Sequence, residues 1–267
     1  MALVELRDRE TIAAFCRRRP SVHAYELGDL DDFFWPHTRW YAWQERGTIE
    51  QLALVYAEHE LPVLLAFAED PLETMDALVR ELLPLLPPRV YAHLTPSLVD
   101  VVTASYTPTP AGRHLKLGLA RNDLLFESEN AVVLTLGDLP EVEAFYAEAY
   151  PGTWFVPRML ESERYVGLRE DGRLVCIAGV HVWSKKWHVA ALGNVATLPA
   201  ARGRGLATAA CAQLCRLLLD DGIDTIGLNV RADNVPALTS YMRLGFEPVA
   251  QYDELLLEAR AAGGATP

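Results

Sequence analysis

Cysteine is scarce in this sequence of 267 residues, which has only four: Cys16, Cys176, Cys211 and Cys215. That number is too small for a disulfide framework at this chain length. Cys211 and Cys215 stand four positions apart on an apolar helix face, and no second ligand pair accompanies them, so core packing explains them better than metal binding. The sequence therefore predicts neither a disulfide-stabilised fold nor a metal site.

Long apolar runs and an excess of positive charge are also missing. The longest apolar stretches, such as residues 61–68, are far shorter than the roughly 20 residues that span a bilayer. The first residues, MALVELRD, do not follow a signal-peptide pattern. The chain carries 24 Lys+Arg against 36 Asp+Glu, a net charge of −12, which argues against a nucleic-acid-binding face. We expect a cytoplasmic protein without a membrane or nucleic-acid partner.

The chain length and the distribution of turn residues indicate two domains. A single core rarely extends beyond about 250–300 residues, and this chain falls in that range. The Pro- and Thr-rich run 107–112 and the polar stretch 121–130 are typical of a linker. We therefore expect a boundary near residue 125, with domains at 1–125 and 126–260 and a disordered tail at 261–267.

Hydrophobic periodicity predicts alternating strands and helices in both halves. In the second half it predicts strands at 131–136, 165–169, 173–182, 188–197, 225–230 and 249–257, with helices at 139–150, 205–220 and 235–244. The first half shows the same order in a weaker form, although the two sequences are not visibly similar. The expected fold class is α/β (α+β mixed sheet), with two related domains of mixed, mostly antiparallel sheets flanked by helices.

The most informative segment runs from a strand through a glycine-containing turn into a helix. Gly203 and Gly205 allow successive backbone amides to converge on one anion, and the helix N-terminus and the side chains of Arg202 and Arg204 add positive charge. The dinucleotide fingerprint would need a glycine at Thr208, and the Gly-Lys-Ser/Thr of a P-loop is absent. By itself, this pattern is more typical of a tight strand-to-helix turn.

A second motif follows, in which Asn234 is succeeded by Ala237 three residues later, Tyr241 seven later and Gly245 eleven later. Together with the Arg-x-x-Gly-x-Ala run that begins at Arg202, it resembles the GNAT superfamily of acyl-CoA-dependent N-acyltransferases over about residues 131–257. The resemblance implies two GNAT-like domains, with a splayed central strand pair in the C-terminal one.

The resemblance also implies acetyl-CoA as the cosubstrate, with no metal. The loop after the strand would bind the pyrophosphate, and the backbone of the strand would pair with the pantetheine arm. The residues that the resemblance assigns to acetyl-CoA are Val195, Ala196, Thr197, Arg202, Gly203, Arg204, Gly205, Leu206, Ala207, Thr208, Asn229, Asn234, Ala237 and Tyr241.

Transfer to an amine needs a group that removes a proton and a group that protonates the departing thiolate. Tyr241 matches the usual acid position of the family, although a buried structural tyrosine is the alternative. No acidic residue lies between Asp171 and Asp220, so the acidic base frequent in the family is missing. His188 or a water held by backbone carbonyls could replace it. Asn194 is either a polar group on the substrate side or a satisfied buried amide.

The first half lacks these features at the corresponding junction. Residues 66–72, AFAEDPL, contain no glycine pair and carry two carboxylates, so we expect no coenzyme site there. This half could support packing, shape the acceptor pocket or dimerise. The predicted function is transfer of an acetyl group from acetyl-CoA to a primary amine of a small molecule, amino acid or peptide. A non-catalytic acyl-CoA-binding or interaction module is the alternative, and a homodimer remains open.

Overall fold

The computed structural model describes residues 2–58 and 60–260; the tail predicted at 261–267 lies outside them. The strands are β1 Ala2–Leu6, β2 Thr38–Glu45, β3 Thr48–Tyr56, β4 Val63–Ala66, β5 Arg89–Leu94, β6 Tyr106–Leu119, β7 Ala131–Val133, β8 Val166–Glu170, β9 Arg173–Ser184, β10 Val189–Thr197, β11 Thr225–Arg231 and β12 Phe246–Ala259. The α-helices are α1 Arg9–Cys16, α2 Ala24–Gly28, α3 Leu72–Leu82, α4 Val99–Val102, α5 Leu139–Ala149, α6 Leu206–Asp220 and α7 Val235–Arg243. Among these, no helix is both long and apolar enough to cross a membrane.

The chain packs as two compact units that are not consecutive in sequence. The second unit consists of Pro20–Asp31 and Lys116–Val249, and the first contains Asp32–Leu115 with the described residues before Pro20 and after Val249. This division differs from the single boundary expected near residue 125. It does so because the end of β12 pairs with β5 of the first unit, Asp253 opposite Leu94 through Glu258 opposite Arg89.

The run 107–112, which composition suggested as a linker, lies within β6. The prolines of this run remove two backbone donors, which would be unfavourable in the middle of a sheet. The strand tolerates them because most side chains in this part of β6 are exposed, whereas its buried positions are Tyr106 before the run and residues 116–118 after it. Linker-like composition was therefore a misleading signal here.

The first unit contains strands in the order β1-β2-β3-β4-β5-β12. Its core forms where the apolar stripe of α3, with Met75, Leu78 and Val79 fully buried, packs against the sheet. The parallel pair β4 and β5 remains in register to the last residue, Ala66 opposite Leu94. The Thr95 amide then donates to the Ala66 carbonyl at 3.1 Å, so the pair stays closed beyond its end.

The second unit contains the end of β6, from Lys116 onward, followed in the sheet by β11, β10, β9, β8 and β7, with the start of β12 beside β6. Helix α6 buries one face, including Cys211 and Cys215, which are 1% and 0% exposed and lie in the core as predicted. Strands β10 and β11 pair in parallel only from Val189 to Leu192. Because β10 continues to Thr197 and β11 to Arg231, the two strands part after Leu192. The expected splayed strand pair is therefore present in this unit.

Candidate functional site

Two irregularities shape β9 and β10 where the splay begins. On β9, Val182 pairs with Ala191 and Val180 with Leu192, which leaves His181 as an extra residue. On β10, the register shifts again between Gly193 and Ala196, and Asn194 adopts a left-handed φ of 53°. Bulges of this kind redirect side chains and interrupt pairing. They bring His181 and Asn194 together at the start of the splay.

Asn194 is a buried amide whose side chain is fully hydrogen-bonded. Its Oδ1 accepts from Thr153 Oγ1 at 3.0 Å and lies 3.0 Å from His181 Nε2. Its Nδ2 donates to the Trp154 carbonyl at 3.0 Å and to Tyr165 Oη at 2.8 Å. Asn194 is 5% exposed, and no capacity remains for a substrate. Of the two alternatives that the sequence left open, the geometry supports the satisfied amide.

His181 was not selected from the sequence, yet it lies at the centre of this arrangement. Its ring rests flat on Gly193, where an added Cβ would come within 2.3–2.5 Å of the imidazole atoms. Its Nδ1 is 3.4 Å from the Tyr25 hydroxyl, and its ring meets that of Trp154 edge to face at 5.7 Å. The sequence signal was a single histidine within a buried apolar strand, but only the bulge reveals where its side chain points.

The turn before α6 has the geometry of an anion site. Gly203 and Gly205 have φ values of +76° and +80°, and an added Cβ at either position would meet no atom of residues 2–58 or 60–260 within 4 Å. Gly205 serves as the N-cap of α6, a helix of 15 residues. Among the described residues, the amides of 203–208 have no hydrogen-bond acceptor, whereas that of Ala209 donates to the Gly205 carbonyl. These amides are available to an anion at the positive end of the helix.

The two arginines of this turn are held by other groups of the protein. Arg202 donates to the carbonyls of Thr197 at 3.1 Å and Ala149 at 3.3 Å. Arg204 forms a two-pronged contact with Glu170, at 2.9 and 2.6 Å, which raises the pKa of the guanidinium. Arg202 therefore fixes the turn to the end of β10, and Arg204 must leave Glu170 before it can meet a phosphate.

The remaining residues assigned to acetyl-CoA lie along the two parted strands and the start of α7. Val195 and Thr197 are half-buried on the part of β10 that has left β11, and Asn229 is half-buried on the corresponding part of β11. Asn234 is the N-cap of α7 and accepts from the amide of Ala237 at 3.3 Å. The spacing of three residues in the motif therefore has a local structural role, because it begins the helix.

Tyr241 lies on α7 and packs edge to face against Phe246, with 5.9 Å between ring centres. Its hydroxyl has no hydrogen-bond partner among the described residues. Burial raises the pKa of Tyr241 well above 10, and the nearby Cys211 and Tyr25 raise it further. The hydroxyl is thus protonated at neutral pH and can donate a hydrogen bond to a ligand.

His188 occupies a different place from that expected of a base. It precedes β10, and the six residues to Asn194 correspond to about 20 Å along an extended strand. Its side chain is 55% exposed, and its Nδ1 lies 2.8 Å from the Gly222 carbonyl. The structure therefore does not bring His188 to the splay with Asn194, because the parallel pairing of β10 and β11 starts at the His188 end.

Comparisons with known proteins show which family and which solved structures the chain is similar to. The sequence model of the acetyltransferase (GNAT) family matches residues 136–246, and a comparison with curated proteins finds no match. A solved putative GNAT-family acetyltransferase from Novosphingobium aromaticivorans is 22% identical, with a TM-score of 0.56, and the match covers 78% of this chain and 89% of that one. A GCN5-related N-acetyltransferase from Sphaerobacter thermophilus is 14% identical, with a TM-score of 0.59, and the match covers 96% and 95%. A tandem GNAT protein from the clavulanic acid biosynthesis pathway is 17% identical, with a TM-score of 0.57, and the match covers 98% and 99%.

At these identities the likeness to solved structures shows the fold, and the tandem protein agrees with the expectation of two GNAT-like domains. The family match adds evidence from the sequence. It covers the parted strands β10 and β11, the turn before α6 and all of α7. Residues 136–246 therefore form a domain of the acetyltransferase (GNAT) family, a family of acyltransferases.

Proposed function

We propose that this protein transfers an acetyl group from acetyl-CoA to a primary amine of a small molecule, an amino acid or a peptide. The observation that carries the proposal is the set of amides at 203–208, which have no acceptor within the part of the chain that the structure describes and which follow the strand β10 that has parted from β11. A pyrophosphate would accept from these amides, and an extended amide-containing arm would pair with the exposed edge of β10 like an additional strand. No metal is needed for either contact.

The acid of the proposed reaction is Tyr241. When the amine attacks the thioester carbon and the carbon–sulfur bond breaks, the departing thiolate needs a proton. The Tyr241 hydroxyl remains protonated at neutral pH because burial raises its pKa, and it has no competing hydrogen bond among the described residues. These properties support the role that the motif spacing predicted.

The first unit is proposed to have no acetyl-CoA site. Its parallel pair β4 and β5 stays in register to Ala66 and Leu94. The side chain of Thr95 then accepts from the Ala68 amide at 2.8 Å, which occupies the donor just after β4. An extended arm would find no parted strands there. We expect one acetyl-CoA per chain.

Calorimetric titration with acetyl-CoA tests the coenzyme site, and Gly205 offers a matched pair of variants. Both Gly205→Ala and Gly205→Glu strain a position with φ of +80°, but only glutamate places a carboxylate at the anion site. Two like charges about 5 Å apart repel by about 3 kcal/mol at an effective dielectric constant of 20. That energy corresponds to about a hundredfold in affinity.

We therefore expect Gly205→Glu to bind acetyl-CoA about a hundredfold more weakly than Gly205→Ala. This difference in affinity should decrease as salt is added, because salt screens the repulsion. Equal affinities of the two variants would refute the pyrophosphate assignment.

Turnover is then measured as free thiol released with a panel of amino acids, diamines and amino sugars. The Tyr241→Phe variant should bind acetyl-CoA normally and lose turnover. Binding without turnover for any amine in the native protein would favour the non-catalytic acyl-CoA-binding module.

A further inference from the structure

We infer that His181 is the general base that accepts the proton of the attacking amine, through its Nδ1 atom. This assignment rests on the acyl transfer proposed above and identifies the residue that replaces the missing acidic base. It also predicts where the acceptor amine lies, beside the Tyr25 hydroxyl and the ring of Trp154.

Geometry is the first support. The β9 bulge leaves His181 outside the β9–β10 pairing, and its ring lies against Gly193. Gly193 directly follows Leu192, the last residue of β10 that pairs with β11. The ring can lie there only because residue 193 has no side chain, since a Cβ would overlap the imidazole at 2.3 Å. The strand β9, its bulge and Gly193 together hold this imidazole where β10 and β11 begin to part.

The hydrogen bonds determine which nitrogen carries the proton. Asn194 donates through Nδ2 to the Trp154 carbonyl and to Tyr165, so its Oδ1 is the acceptor that faces His181. His181 Nε2 therefore carries the hydrogen, and Nδ1 keeps its lone pair. The Tyr25 hydroxyl approaches this lone pair only to 3.4 Å, at the outer limit of a hydrogen bond. An amine that binds beside Tyr25 reaches the same lone pair.

The surroundings keep the imidazole neutral and ready to accept a proton. Burial lowers the pKa of His181 below 6.5, and the hydrogen bond to Asn194 opposes this shift. The groups that face it are the Tyr25 hydroxyl from α2, the Asn194 amide from β10 and the Trp154 ring from the segment after α5. The Lys116 ammonium lies 5.6 Å from the centre of the Tyr25 ring and is paired with Glu26.

Tyr25 links the proposed base to the proposed acid. Its hydroxyl lies 3.4 Å from His181 Nδ1, and its electrostatic effect on the pKa of Tyr241 agrees with a position between the two groups. In the reaction, the amine nitrogen bonds to the thioester carbon and one of its protons passes to His181 Nδ1. The carbon–sulfur bond breaks and the thiolate takes the proton of Tyr241. The imidazolium then returns a proton to the tyrosinate through solvent, so the net change moves one proton from amine to thiol.

Kinetics on variants tests the assignment. His181→Gln keeps a donor for Asn194 Oδ1 but has no basic nitrogen, and His188→Gln is the matched control at the far end of β10. With an amine that the native protein acetylates, His181→Gln should lower kcat by about 10²–10⁴-fold and leave the Kd for acetyl-CoA unchanged. Gly193→Ala, which displaces the ring while keeping the histidine, should also lower kcat. The inference fails if His181→Gln turns over like the native protein, or if only His188→Gln loses activity.

A measurement on the unaltered protein completes the test. Nitrogen-15 NMR of labelled histidine, assigned by the signal lost in His181→Gln, should show the Nε2–H tautomer and a pKa below 6.5. With a weakly basic amine that stays neutral across the pH range, kcat/KM should fall on acidification with that same pKa. An Nδ1–H tautomer, or a kinetic pKa that differs from the NMR value, would overturn the inference.

If the native protein binds acetyl-CoA but acetylates no amine, this inference and the proposed function fail together. Turnover that survives in His181→Gln rejects the base alone.

Discussion

Replacement of Lys116 by methionine should destabilise the second unit strongly at neutral pH. Lys116 is 1% exposed, and its Nζ donates to the Val22 carbonyl at 2.8 Å and lies 3.7 Å from Glu26 Oε2. Glu26 is 3% exposed, and its Oε1 is 3.0 Å from His23 Nδ1. Burial by itself raises the pKa of Glu26, but the charges of Lys116 and His23 outweigh it and leave the pKa below 4.5. Methionine preserves the length of the side chain and removes the charge.

The expected magnitude follows from the burial of Glu26. Removing one partner of a buried ion pair typically costs about 3–5 kcal/mol, because the remaining charge is left uncompensated. For a unit of this size, 1 kcal/mol corresponds to about 2–4 °C in Tm, so Lys116→Met should lower the Tm by at least about 6 °C at pH 7. The double variant Lys116→Met/Glu26→Gln should recover part of this loss, because it removes the uncompensated charge.

The pH dependence gives a second check, and its sign is determined by Glu26. In the native protein, the lowered pKa of Glu26 contributes stability above the unfolded-state pKa of about 4.3, and this contribution is lost as the pH falls. In Lys116→Met, only His23 still opposes the effect of burial, so we expect the pKa of Glu26 to rise and acidification to neutralise the buried carboxylate. The Tm difference between the native protein and the variant should therefore shrink from pH 7 to pH 4. A constant difference, or a double variant no more stable than Lys116→Met, would refute the reasoning.

Two further substitutions test neighbouring features. Burial, aided by the charge of Glu26, raises the pKa of Asp29 well above 3.8, so the folded state loses stability as the pH rises from the unfolded pKa through the folded one. Asp29→Asn should therefore raise the Tm at pH 8 and have little effect at pH 3; thermal scans that show no such trend would contradict the assignment. Arg202→Ala removes the contacts to the Thr197 and Ala149 carbonyls, which releases the turn from β10. Acetyl-CoA binding should weaken while the Tm changes little, and calorimetry that finds equal affinity would show that Arg202 does not order the turn.

Local patterns in the sequence were sufficient for much of the fold. The alternation of apolar residues located β8 to β11, and the periodicity of α6 placed Cys211 and Cys215 in the core. The glycine turn was predicted because glycine readily adopts positive φ values, as Gly203 and Gly205 do here. Each of these features depends on neighbours within a few positions of the chain.

Long-range pairing could not be predicted in the same way. The run 107–112 has the composition of a linker but joins β6, and the end of the chain returns to pair with β5. A strand pairs with whichever edge the tertiary structure brings to it, and the local sequence does not encode that choice. The units were consequently assigned to the wrong segments at residues 20–31 and 250–260, while their number was correct.

The sequence by itself determined the family resemblance, the glycine turn before α6 and the position of Tyr241, because all of these depend on fixed spacings along the chain. Tertiary structure alone decided which histidine lies at the splay. His188, the candidate base from the sequence, precedes the paired end of β10, whereas the bulge at His181 and the missing side chain at Gly193 bring a different imidazole to Asn194. The physical reason is that a bulge changes the face of a strand to which a side chain points, and it forms only when two strands pair.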